Sequence, residues 1–153
     1  MDRLSLQRAA SFCAYQERTP AEVRQRLAQW EVEGEAADEI IAELISLNYL
    51  SQERFAKTYV SGKFRIKKWG KLRIKQELAR RGLDEESIQQ GMEEINDSSY
   101  EETLRQLLIK KEEQLQRTEP DAFKRKQKLV RFALSKGYES GIVWKMVNEV
   151  LGT

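Results

Sequence analysis

Lys68-Trp69-Gly70-Lys71-Leu72-Arg73-Ile74-Lys75-Gln76-Glu77-Leu78, continued by Ala79-Arg80-Arg81-Gly82-Leu83-Asp84, is the stretch that decides the fold. Ile74 and Leu78 lie one helical turn apart and therefore share a face. Gly82 stops their helix, because glycine takes the left-handed conformation at a helix C-terminus without a Cβ clash. Asp84 is then placed to cap a second helix, whose apolar stripe is Ile88, Met92 and Ile95. The unit read from this stretch is a helix, a tight turn and another helix.

Working outward, the same unit recurs. The series Ile74, Leu78, Leu83, Ile88, Met92, Ile95 maps at a constant offset onto Val23, Leu27, Val32, Ala37, Ile41, Leu44, and at a second constant offset onto Leu129, Ala133, Tyr138, Val143, Val147, Val150. Gly82 aligns with Gly137, and Asp84 with Glu139. A further helix precedes each copy, expected over 4–17, 51–67 and 99–116. Helix starts are legible: Thr19-Pro20-Ala21-Glu22 reads as an N-cap, a first-turn proline and a capping-box glutamate. Ser51 is placed to cap the next helix, and Ser99 with Glu102 forms a further expected capping box. The periodicity predicts an all-α protein of three tandem three-helix repeats, over 1–48, 49–97 and 98–153, in an elongated, curved array. A repeat of this size buries a modest fraction of its surface alone, so packing between repeats is expected to contribute to stability. Trp30 and Trp144 fall on the apolar stripes and are expected in the core.

Composition agrees with that class. The 153 residues are 40% hydrophobic and 34% charged, with only two prolines and eight glycines, too little punctuation for a many-stranded fold. Ala, Leu, Glu, Gln, Lys and Arg dominate, and these are strong helix formers. Cys13 is the single cysteine, which rules out an intrachain disulfide and suits a reducing cytosol. Set among Ala10, Phe12 and Ala14, it reads as a small buried hydrophobe. No leader-like N-terminal segment or apolar run of membrane-spanning length is present, so no membrane association and a cytoplasmic location are expected.

Chemistry is scarce. The chain has no histidine, and one cysteine cannot build a zinc site. Ser61-Gly62-Lys63 superficially resembles a phosphate loop, but position 57 is Lys where that motif needs Gly. Pairs such as Glu85-Glu86 complement helix N-terminal dipoles. No catalytic residue, metal site or cofactor is therefore expected, and an enzyme is not.

Charge is where the sequence speaks of function. Between positions 54 and 81 stand Arg54, Lys57, Lys63, Arg65, Lys67, Lys68, Lys71, Arg73, Lys75, Arg80 and Arg81, and Glu77 is the lone acid among them. From 84 to 102 the sign inverts, with eight acids and no base. Segregation of this kind marks an electrostatic footprint for a polyanion or an acidic partner surface, since a purely structural helix would avoid such self-repulsion. The expected partner- or DNA-binding residues are Lys57, Lys63, Arg65, Lys67, Lys68, Trp69, Lys71, Arg73, Lys75, Arg80 and Arg81. Two readings of Trp69 stand: a staple between two helices, or a ring that stacks on a base or a guanidinium. Arg73 has a competing partner in Glu77, one turn on.

The central segment resembles the RecX family of bacterial regulators of the RecA recombinase. The matching residues are Tyr49, Leu50, Arg54, Phe55, Gly70, Arg73, Ile74, Gln76, Glu77, Leu78, Gly82 and Leu83. Trp69 stands where the family usually has tyrosine, Lys75 where arginine is frequent, and Ser51-Gln52 replace a usual acidic pair. Lys71 stands where proline is common, which implies a less rigid entry into the following helix. The stretch 18–27 is similar to the family's N-terminal helix pair and 134–138 to its C-terminal one, so the resemblance spans nearly the whole chain. It implies a non-catalytic protein that binds RecA–DNA filaments and suppresses ATP hydrolysis, strand exchange and co-protease activity in DNA repair, recombination and the SOS response. A monomer is expected, with weak contact to single- or double-stranded DNA as a secondary expectation. The rival reading is a basic all-α module that acts directly on nucleic acid.

Overall fold

The computed structural model describes all 153 residues, which form nine α-helices and no strand. In chain order these are α1 (Arg3–Tyr15), α2 (Pro20–Gln29), α3 (Gly34–Ser46), α4 (Gln52–Gly62), α5 (Lys71–Arg80), α6 (Glu85–Met92), α7 (Asp97–Thr118), α8 (Ala122–Ser135) and α9 (Ser140–Leu151). They follow one another as three three-helix repeats. No helix is long and apolar enough to cross a membrane.

The punctuation read from sequence is mostly the punctuation used. Thr19 and Glu22 exchange both bonds of a capping box at 3.0 and 2.9 Å. Ser51 Oγ accepts from the Arg54 amide at 3.1 Å, and Asp84 Oδ1 from the Ser87 amide at 2.7 Å. Gly82 and Gly137 both have positive φ, at 85° and 100°. One cap differs. Asn96 starts α7, its side chain accepting from the amides of Ser98 and Ser99, so the expected Ser99 cap lies inside the helix instead. Asn and Ser are equally good caps, and the earlier one gains a turn that carries Tyr100.

Burial follows the repeated series closely. All its members are buried except Val32 and Val150, which are half-buried. Trp144 is a correction: it is 44% exposed, because the buried stripe of α9 is Val143, Met146 and Val147 and the next residue turns away from it. Trp30 is half-buried, with the Arg8 guanidinium 4.0 Å over its ring.

Two compact units share the chain. One comprises residues 1–59 and 77–92. Its first-repeat core is built on Ala9, Cys13, Val23, Leu27, Ile40, Leu44 and Leu50, and burial pushes the Cys13 thiol pKa up. In the same unit Gly91 sits where a Cβ would fall 2.7 Å from that of Ala56, so α4 and α6 approach closely. Leu78 is fully buried, and Leu78→Ala is expected to destabilise by roughly 2–5 kcal/mol in denaturant unfolding, the range for emptying an enclosed leucine site. A loss below about 1 kcal/mol would mean the site collapses freely. The other unit comprises residues 60–76 and 93–153, with Leu104, Leu108, Leu129, Tyr138, Met146 and Val147 in its core.

A candidate docking surface on the basic loop

The α4 helix does not end as an α-helix. Its continuation, Lys63–Lys67, is a π-helical turn that closes on Lys68 in the left-handed conformation, φ 58° and ψ 37°. A non-glycine residue there costs about 1 kcal/mol, so the surroundings must hold it.

The α7–α9 end of the same unit supplies that hold. The Gly70 amide donates to the Lys136 carbonyl at 2.8 Å and the Leu72 amide to the Gly137 carbonyl at 2.9 Å. Tyr138 Oη donates to the Lys68 carbonyl at 2.9 Å, and Lys136 Nζ to the Lys67 carbonyl at 3.2 Å. The Lys71 amide donates to Tyr100 Oη at 2.9 Å, and that hydroxyl donates in turn to the Glu139 carboxylate. Burial raises the pKa of both tyrosines well above the usual range, for Tyr100 with help from the Glu139 bond, so both stay protonated donors. Backbones also meet: a Cβ on Gly70 would lie 2.2 Å from the Gly137 carbonyl carbon. The entry to α5 is therefore firmly pinned. The lysine at 71 contributes an amide bond that a proline could not make.

On this frame Arg65, Lys67, Lys68 and Arg73 are exposed, and Lys63, Trp69, Lys71 and Lys75 half-buried. Arg73 lies 4.1 Å over the Trp69 ring and Lys63 Nζ 4.9 Å from it, so of the two readings of Trp69 the ring stacks on a guanidinium. Glu77 is engaged by Arg80. Lys71 is committed locally, 3.4 Å from Asp97 and 4.6 Å from the Tyr100 ring. Lys136 joins the cluster: burial lowers its amine pKa, and Arg73, Lys68 and Lys67 lower it further.

Lys57, Arg80 and Arg81 belong to the other unit, where Lys57 pairs with Glu53, Arg80 with Glu77, and Arg81 lies 5.0 Å over the Tyr59 ring. The eleven positions named from sequence thus divide into eight in one unit and three in the other. Sequence reasoning missed the residues that pin the loop, Tyr100, Lys136, Gly137, Tyr138 and Glu139. One signal was available: Tyr138 is the tyrosine in a repeat column otherwise filled by Val32 and Leu83.

Tyr138→Phe keeps the ring and removes the bond to the Lys68 carbonyl. It is expected to cost about 1 kcal/mol and to speed amide exchange at Gly70 and Leu72, read by NMR. Unaltered exchange at both amides would mean that the backbone bonds suffice.

Tandem three-helix repeats, with a basic loop that holds no acid between Lys63 and Gln76, define the class as a helical-repeat protein. Family models described as the first, second and third three-helix domains of RecX match residues 6–44, 51–92 and 99–147. The chain belongs to the RecX family. It is 30% identical over 146 residues to a regulatory protein RecX of Clostridium acetobutylicum, covering 94% of this chain and 65% of that one. It is 33% identical over 135 residues to a regulatory protein RecX of Clostridium perfringens, covering 86% and 63%. The chain thus spans about two thirds of the length of these curated relatives. The crystal structure of RecX from Lactobacillus salivarius shares the fold, with a TM-score of 0.86, 23% identity, and 99% and 97% of the two chains covered.

Proposed function

We propose that this protein regulates the RecA recombinase by binding the RecA–DNA filament and lowering its ATP turnover, strand exchange and co-protease activity. The observation that carries this reading is the pinned loop. Lys67, Lys68, Arg73 and Lys136 gather around it, with the Lys136 ammonium on the Lys67 carbonyl, and between Lys63 and Gln76 the chain has no carboxylate to neutralise them. A surface so biased gains from meeting an acidic one. The choice of the recombinase as the partner rests on the resemblance to the RecX family, which the three domain matches support.

Binding is then the whole mode of action, exerted by a monomer without cofactor. Weak contacts made by successive repeats would add through high effective concentration on a polymeric target. The test is RecA ATPase on single-stranded DNA, with the protein added substoichiometrically. ATP turnover is expected to fall. Unchanged turnover at micromolar protein would overturn the reading.

A further inference from the structure

We propose that Ile66 is the apolar anchor of a protein interface and inserts into an apolar pocket rimmed by carboxylates on the partner. This deepens the functional reading above and rests on it, by assigning the loop's contact to protein instead of DNA.

Ile66 is 75% exposed, the most exposed isoleucine of the chain. An exposed aliphatic residue on an ordinary helix needs no explanation. This one sits in the π-helical turn, between exposed Arg65 and exposed Lys67 and two residues before the left-handed Lys68. Single π turns recur where function displaces a side chain from the regular helical pattern. The Tyr138 hydroxyl and the Lys136 ammonium hold the carbonyls that immediately follow Ile66. The side chain is thus presented from a backbone with little freedom to lose on binding, the property that lets a small contact carry affinity.

The partner's chemistry follows from the neighbours. Arg65, Lys67 and Lys68 surround the anchor with positive charge and no nearby acid in sequence, which calls for an acidic rim. A phosphate backbone would satisfy those cations but offers nothing to an isoleucine. The ring best suited to stacking on a base, Trp69, is covered by Arg73, while the aliphatic group is the one left in solvent. An apolar centre with a charged margin is the anatomy of a protein–protein contact.

The test uses the full chain and RecA filaments on single-stranded DNA, with bare single-stranded DNA as the second arm. Ile66→Ser is expected to weaken filament binding by roughly tenfold or more, equivalent to about 1.4 kcal/mol per decade. The salt slope should not change, since no cation is lost. Ile66→Leu should restore affinity to within about twofold, as a volume-conserving apolar swap does. Any affinity for bare DNA should be the same for all three proteins. A photoreactive residue at 66 should crosslink to the recombinase polypeptide. Unchanged filament affinity in Ile66→Ser, equal weakening towards bare DNA, or a crosslink to the DNA strand each overturns the anchor. A natural chain that fails to bind filaments at all overturns the functional reading together with it, whereas natural binding with an indifferent Ile66→Ser removes the anchor alone.

Discussion

Gly137→Ala is expected to destabilise the protein by about 2–4 kcal/mol, against about 1 kcal/mol for Gly82→Ala. The two glycines occupy the same place in successive repeats and have the same left-handed backbone, φ 100° and 85°. An alanine at either pays the left-handed penalty of about 1 kcal/mol. At Gly82 nothing lies within 4 Å of the added methyl, so the penalty ends there. At Gly137 the methyl would stand 2.3 Å from the Arg73 Cβ and 2.7 Å from the Arg73 amide nitrogen. Backbone cannot step aside as a flexible side-chain end can, so an overpacking term of roughly 1–3 kcal/mol is added. Urea midpoints of the two variants measure the difference. Equal midpoint shifts would show that α5 slides away at little cost and that the loop is held more loosely than its bonds suggest.

Much of the fold was legible in the sequence because it repeats. One column of apolar residues, read three times, located the core, and Gly82, Asp84 and the Thr19–Glu22 box marked the helix ends. Each of these signals is local, acting within one or two turns. What the sequence did not disclose acts at long range. Lys68 gives no local hint of a left-handed residue, because its conformation is fixed by Tyr138, seventy positions on. Trp144 looked like core because an apolar stripe read from spacing is wider than the face that α9 actually buries. The basic run itself was plain, but its division was not. Lys71 and Arg73 look alike in sequence, yet one is spent on Asp97 and the other on Trp69.

That division decides the outcome of charge reversal. Changing Arg65, Lys67 and Lys68 together to glutamate is expected to weaken filament binding by roughly tenfold or more at low salt, to flatten its salt dependence, and to leave thermal unfolding unchanged. All three side chains are exposed, and the hold on Lys67 and Lys68 passes through their backbone carbonyls, which the substitutions keep. Lys71→Glu should behave differently. It would set a second carboxylate in the place now 3.4 Å from Asp97, and remove the cation from the Tyr100 ring. Its amide would still bond to Tyr100, so the loop should survive with a loss of about 1 kcal/mol in stability. Reversal of Lys71 therefore confounds folding with binding, whereas reversal of the outer three reports on binding alone. If the triple variant kept both the affinity and the salt slope of the natural chain, the positive loop would be a bystander, and contact with the filament would have to be made by other surfaces of the repeats.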